Sequence, residues 1–521
     1  MAPWDEDTLQ RALGQLVDAE LLYQRGYPPD AIYLFKHALI QEAAYQSLLQ
    51  GTRQQYHQRI AQELAAQFPE TAATQPELLA HHYTEAGLQA EALPYWHQAG
   101  QRAIARSAYA EARQHLTTGL EVLATVPETP TRHQHELDLL IALVPALLVT
   151  KGQAAPELEP VLTRAAALCQ QVEESQQRFA VLAGLCVFHN TRAEYQAAYA
   201  IAEQLLDLAQ RQHDPAQLVR AHCRLGQTLF NLGAFAPART HLERGLALFD
   251  PRGHATLHIV PGWIRDCETV CLLQVGRALC MLGYPDQAMQ RSQEALTMVH
   301  VLANPFHLVD TLFGSARIQR YRREWQTVQA HAEAMLALAT EHGFARHVAL
   351  GALLRGGALA AQGQSASGLA QMRQGLAAMQ ATGTAAGMPG YLAQLAEAYG
   401  QVGQVDEGMH LLAEALAIVD TTGERHTEAE LHRLRGELLL RQAVPEVPAA
   451  EACFQRALDV ARHQQAKSYE LRAAMSLSRL WQQQGKSAEA RELLAPLYGW
   501  FTEGFDTQDL REAKALLSEL V

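Results

Sequence analysis

One leucine recurs along the chain at Leu206, Leu246, Leu296, Leu336, Leu376, Leu416 and Leu458, at intervals of 40, 50, 40, 40, 40 and 42 residues. A period of this length makes each unit a supersecondary element that cannot bury its apolar face alone and must stack on its neighbours. The register extends beyond the leucine. Twenty positions before it stand Cys186, Gly226, Gly276, Ala316, Gly356 and Ala396, and eight before it stand Ala198, Ala238, Ala288, Gly368, Gly408 and Ala450, with Val328 as the larger exception. Short side chains at fixed offsets mark places where two helices approach closely.

Between the two rows of small residues lie turn signals, Asn231-Leu-Gly233, Leu282-Gly283-Tyr284, Gln362-Gly363-Gln364 and Val402-Gly403-Gln404. Glycine there accepts the left-handed conformation that ends a helix. Each unit therefore reads as helix, turn, helix. The pattern resembles the tetratricopeptide repeat, with a period near 40 in place of 34. Earlier and later copies at Gly100–Leu120 and Gly485–Leu494 bring the expectation to about ten helix pairs. Two stretches break the rhythm: 251–268 reads as a long loop, and 127–155, with Pro127, Pro130 and Pro145, as a weak helix pair.

Composition agrees with an all-α chain. Alanine and leucine dominate, aromatic residues are 7%, and strand-length β-branched runs are scarce. A single core is an improbable solution for 521 residues, whereas a right-handed superhelix needs contacts only between neighbouring repeats. The longest apolar run, Leu139–Val149, contains Pro145 and is too short to span a bilayer, and Met1–Asp7 lacks the charge pattern of a signal peptide. These features place the chain in the cytoplasm with no membrane partner. The net charge of −13 argues against a nucleic-acid footprint.

The first residues depart from the repeat. Thr8–Ala19 is amphipathic, Leu21–Phe35 reads as two short strands about a Gly/Pro/Asp turn, and helical stretches follow at 36–49 and 53–68. A hairpin among helices resembles a winged helix, giving three segments: 1–68 winged-helix-like, 69–506 tetratricopeptide-like and 507–521 a capping helix. Tyr33–Leu49, followed by Arg53, His57 and Ile60 and by Leu79-Ala-His-His-Tyr-Thr-Glu-Ala-Gly87, resembles the junction of bacterial STAND-type signalling ATPases. In those proteins a nucleotide-binding module ends in a winged helix and a tetratricopeptide superhelix follows, often with a class III adenylate or guanylate cyclase or a kinase domain at the front. The resemblance implies a regulatory arm that senses a partner or ligand for a nucleotide switch. It also implies that the start is truncated or belongs to a split system, while the terminal helix reads as a natural end.

The catalytic parts of that family find no counterpart in this sequence. No P-loop occurs: Gly485-Lys486-Ser487 has Leu480 at the first glycine position and falls at a repeat turn. No paired metal-binding aspartates of a cyclase hairpin are found. The histidines His81, His82, His97, His133 and His135 lack a metal spacing, and the seven cysteines read as small buried apolar residues, although Cys267 and Cys271 stand one helical turn apart. The expectation is no enzyme, no cofactor and no metal.

What remains is the concave face. In a tetratricopeptide-like superhelix the first helix of each pair faces inward, and slots one after the small packing residue, or three before it, point into the groove. They hold Cys223, Gln227, Arg277, Phe313 and Arg317, with Arg320, Tyr321, Arg433 and Arg479 on the same class of helix. Arginines on one face would attract an acidic peptide or a phosphorylated or carboxylated small molecule. The plainer alternative, favoured on sequence, is that they pair with acidic neighbours or lie in water. Only three asparagines are present, which disfavours chaperone binding. The reading is a non-catalytic regulatory and protein-interaction arm of a signalling ATPase or cyclase system. The alternatives are a small-molecule receptor, or a fragment of an ATP-binding adenylate cyclase-type protein.

Overall fold

The computed structural model describes residues 5–28, 31–152, 154–171, 176–249, 265–302 and 304–520. The chain divides into two compact units, Met1–Leu143 and Val144–Val521. The first opens with α1 (Glu6–Asp18), the strands β1 (Leu22–Arg25) and β2 (Ile32–Phe35), α2 (Ala38–Gln46), α3 (Gln50–Gln67), α4 (Pro69–Thr74) and α5 (Pro76–Glu85). The helices α6 (Gln89–Ala105), α7 (Tyr109–Leu123) and α8 (Pro130–Thr150) follow, the last running across the division. The strands pair antiparallel with Leu22 opposite Phe35 and Arg25 opposite Ile32, and the tip at Pro29 and Asp30 lies outside the described residues. Where the sequence suggested a weak helix pair at 127–155, α8 is continuous and carries Pro145 within it.

The second unit continues with α9 (Leu158–Gln171), α10 (Gln176–Thr191), α11 (Tyr195–Gln212), α12 (Pro215–Asn231), α13 (Phe235–Leu248), α14 (Arg265–Leu282), α15 (Pro285–Leu302), α16 (Pro305–Tyr321) and α17 (Trp325–Glu341). It is completed by α18 (Ala345–Ala361), α19 (Ser365–Ala381), α20 (Met388–Gln401), α21 (Val405–Thr422), α22 (Glu428–Leu440), α23 (Val447–His463), α24 (Lys467–Gln483), α25 (Ser487–Trp500) and α26 (Gln508–Glu519). Most of the stretch read as a loop at 251–268 lies outside the described residues, but 265–268 already belongs to α14.

The small residues do what their spacing requires. A Cβ on Gly226 would stand 2.5 Å from Leu242, one on Gly276 2.6 Å from Ile318, and one on Gly356 2.8 Å from the carbonyl oxygen of Gly368. The recurrent leucine of the outer helices is mostly half-buried and reaches the next repeat, as where Leu336 of α17 fills the space over Gly351 of α18. Consecutive even-numbered helices from α10 to α26 also touch one another, which marks them as the crowded inner layer. Asp214 and Asn304 cap α12 and α16 by accepting two backbone N–H groups each, with proline at the first helical position.

The inner helices of the second unit meet end to end across one superhelical turn. The carbonyl of Thr191, at the end of α10, accepts the N–H groups of Ala385 and Ala386 before α20, and that of Asn231, ending α12, accepts those of Arg425 and His426 before α22. Ser468 of α24 donates to the carbonyl of Cys280 in α14, 188 residues away. Carbonyls orphaned at one helix end thus find donors at the start of the inner helix five pairs later, with the helix dipoles head to tail.

Candidate functional site

Where α16, α20, α22, α24 and α26 converge, the inner helices enclose a cavity of about 250 Å³. Four of the sequence-selected residues line it: Arg320, Tyr321, Arg433 and Arg479. The acidic half of the lining, Glu397, Glu430, Glu437, Asp509 and Glu512, was not selected. The signal for part of it was present, because Glu397 and Glu437 occupy the same slot after Ala396 and Gly436 that singled out the arginines. Asp509 and Glu512 come from the terminal helix, whose packing over the inner face no repeat spacing encodes.

Most of these charges are joined in one network. Arg433 holds Glu430 through two bonds of 2.9 Å and also reaches Glu437 at 3.4 Å. Arg472 binds Asp509 at 2.7 Å and approaches Glu430 at 3.6 Å, while Arg479 and Arg323 both reach Glu512. Burial alone would raise the Glu430 carboxyl, but Arg433 and then Arg472 outweigh it and hold it down at about 2. For Arg433 and Arg479, acidic pairing is therefore the observed state. Arg323 joins the network from a left-handed conformation (φ 62), at the turn position that other repeats give to glycine.

The remaining selected residues lie apart from this network. Gln227 of α12 accepts a bond from Arg224 and does not line the cavity. Arg277 of α14 is 2% exposed, lies 3.9 Å from the ring centre of Phe230, and donates to Gln274 at 2.7 Å. Arg317 stacks on Phe313 and Arg320 on Tyr321. Burial, aided by Arg317, lowers the Arg277 guanidinium to about 10. Burial opposes ionisation of Tyr321, yet Arg277, Arg317 and Arg320 together bring its hydroxyl down to about 8. Nearby Glu424 is fully buried, accepting from Tyr195 and from the Gly387 N–H, and burial pushes its carboxyl up to about 7.

In the first unit the structure brings together histidines that the sequence left scattered. Nδ1 of His57 lies 2.7 Å from Nδ1 of His82, and Tyr45 stands 2.9 Å from the other nitrogen of His57. Among the described residues, no three His, Cys, Asp or Glu side chains gather as a metal site, and the side chain of Cys267 lies outside those described. Cys169, Cys186, Cys223, Cys271 and Cys280 are buried thiols and Cys453 is half-buried. Gly485 and Lys486 form the turn before α25. No described helix is long and apolar enough to cross a membrane.

No protein-family model matches the chain. It is 27% identical over 481 residues to an uncharacterized protein of Rhizobium meliloti (strain 1021), an alignment covering 91% of this chain and 46% of that protein. The chain thus spans about half the length of that relative. Among solved structures it is similar to a Rap protein complexed with Competence and Sporulation Factor, with a TM-score of 0.50 at 13% identity over 75% of this chain and 100% of that one. A STAND protein with a tetratricopeptide repeat sensor from Pyrococcus horikoshii superposes with a TM-score of 0.35 at 12% identity, over 77% and 66% of the two chains, which is too distant to carry an argument. The fold is an all-α, tetratricopeptide-like helical-repeat superhelix.

Proposed function

We propose that the chain is a non-catalytic regulatory arm that binds another protein, a nucleotide-binding ATPase or cyclase of a bacterial signalling system. The observation that carries this reading is the exposed apolar surface of the hairpin and the helices after it. Tyr23, Ile32, Leu34, Phe35, Leu39 and Leu49 all present large apolar side chains to solvent, whereas the repeats bury most of theirs. A two-stranded hairpin is marginal by itself, and a concentrated apolar surface marks a protein contact. The length of the Rhizobium meliloti relative, about twice the aligned segment, supports a larger assembly around such a region.

The test is affinity capture of the tagged chain from its native cytosol, followed by mass spectrometry and nucleotide binding by whatever is recovered. Recovery of an ATPase or cyclase by the wild type, and its loss with Leu34→Asp or Leu39→Asp, is the expected result. An empty capture, or one indifferent to these exposed substitutions, overturns it. A second reading, a receptor for a small molecule inside the superhelix, is favoured by the cavity between the inner helices. The Rap structure, which holds Competence and Sporulation Factor, supports ligand binding by this fold.

A further inference from the structure

The cavity network accounts for Arg433, Arg472 and Arg479, but it leaves a second group of cations without carboxylates. Among the described residues, Arg277, Arg317 and Arg320 form no ion pair; Arg277 donates to Gln274 at 2.7 Å and stands beside the Tyr321 hydroxyl, whose ionised form it favours. Each is held by an aromatic face, at 3.9 Å on Phe230, 5.3 Å on Phe313 and 5.0 Å on Tyr321. A ring under a guanidinium fixes its plane and leaves the N–H edge for an in-plane acceptor. No carboxylate fills that edge in Arg277: Nε and Nη2 are buried without a well-formed hydrogen bond, and so is the Tyr321 hydroxyl beside the guanidinium.

A buried charge without a counter-charge is costly, and a well-placed anion offsets part of that cost. The carboxylate beside the group, Glu424, accepts from Tyr195 and Gly387 and stands 3.3 Å from Nδ1 of His426, and burial raises it to about 7 against the pull of these donors and of Arg317 and Arg277. His426 is pushed well below its usual range by burial and by the same arginines, so it brings no further charge. Among the described residues, no carboxylate forms an ion pair with these three guanidiniums, and Glu424 acts on Arg317 and Arg277 only at longer range.

We infer that Arg277, Arg317 and Arg320, with the Tyr321 hydroxyl, receive an oxyanion group, a carboxylate or a phosphate, of a ligand that enters through the cavity whose wall Arg320 and Tyr321 form. This deepens the reading of the superhelix as a ligand receptor and is independent of the protein contact at the hairpin. The paired network on the opposite wall offers both charges, and so would accept the polar remainder of the same molecule.

The experiment is thermal unfolding of the full chain in inorganic phosphate and, separately, in glutarate, against chloride at matched ionic strength. One of the two raises the midpoint by about 2 °C at roughly tenfold above its dissociation constant. A phosphate preference identifies a phosphorylated ligand, and a glutarate preference a carboxylated one. Arg317→Gln and Arg320→Gln abolish the shift, Arg320→Lys weakens binding about fivefold by removing the fork, and Arg211→Gln, an exposed arginine paired with Asp207 outside the cavity, leaves it intact. No shift with either anion, or a shift that survives Arg317→Gln and Arg320→Gln, overturns the site. Protein capture unaffected by Arg320→Gln leaves the hairpin contact standing in either case.

Discussion

The hydroxyl of Tyr195 donates to a carboxylate oxygen of Glu424 at 2.9 Å, across 229 residues of chain. The bond ties the start of α11 to the loop before α22, one superhelical turn apart, and Glu424 also accepts the N–H of Gly387 at the start of α20. Burial raises the Glu424 carboxyl to about 7, above its unfolded value of 4.5. Its protonated form is thus the one the fold favours, and that contribution is complete below pH 4.5 and lost as pH rises through 7. Above pH 7 the ionised carboxylate depends on its donors. Tyr195→Phe should cost about 1 kcal/mol at pH 6 and about 2 kcal/mol at pH 8, read from urea midpoints. Equal losses at the two pH values would show that Glu424 does not titrate there.

Gly356 and Gly368 allow α18 and α19 to cross at backbone distance. A Cβ on Gly368 would meet the carbonyl oxygen of Gly356 at 2.5 Å and the nitrogen of Ala360 at 2.8 Å, atoms of rigid helix that cannot turn aside. Gly363, in the turn between them, has φ 88 and open space about its Cβ direction. Gly368→Ala should therefore destabilise by about 3 kcal/mol through overpacking, and Gly363→Ala by about 1 kcal/mol through left-handed strain alone. Thermal unfolding of the two variants separates them; a larger loss for Gly363→Ala would mean that the turn, not the crossing, sets the pair.

These crossings are the part of the molecule that the sequence makes legible. Rows of Gly, Ala and Cys at fixed offsets encode close approach, which is a local property repeated in every unit, and the glycine turns at 233, 283, 363 and 403 all take positive φ. The same periodicity puts Arg320, Tyr321, Arg433 and Arg479 on inner helices, but it does not encode the cavity they line, which Gln227, Arg277 and Arg317 in the inward slots do not reach. What periodicity does not carry is the pitch of the superhelix. The bonds from Thr191 to Ala385 and from Asn231 to Arg425 depend on small angles accumulated over five pairs, and the pairing of Arg323 with Asp509 on how the last helix packs. Nor does any spacing within the first unit bring His57 to His82.

That histidine pair makes the first unit sensitive to acid. Burial lowers both rings, and His82, with His57 and His81 adding repulsion, falls to about 4; Glu85 opposes the shift, and Arg53 stands over the ring of Tyr45. With Nδ1 atoms 2.7 Å apart, the pair accommodates one proton between them. Because the folded values lie below the unfolded 6.5, the stabilisation is present above that pH and is lost as pH falls towards 4. Amide exchange in α3 and α5 should accelerate about tenfold or more between pH 7 and pH 5, beyond the intrinsic change. His82→Gln should flatten the difference, and equal acceleration in the variant would refute the assignment.

Glu430 carries the arginine network of the cavity. Its two oxygens accept from Nε and Nη2 of Arg433, and Arg472 stands 3.6 Å away, all on side chains that are about 15% exposed. Glu430→Gln leaves two buried guanidiniums without their shared counter-charge, a change that costs about 3 to 5 kcal/mol in comparable buried pairs. Arg479→Gln breaks a pair with Glu512 in which the arginine side chain is 44% exposed, and there water compensates, so the loss stays below about 1 kcal/mol. The carboxyl of Glu430, held at about 2, stabilises the fold above its unfolded value of 4.5 and loses that effect as pH falls towards 2. Urea unfolding of both variants at pH 7 and pH 3 checks the ranking: the deficit of Glu430→Gln should shrink at pH 3, where the wild-type carboxylate has begun to lose its advantage, and a deficit independent of pH would assign its role to packing instead of charge.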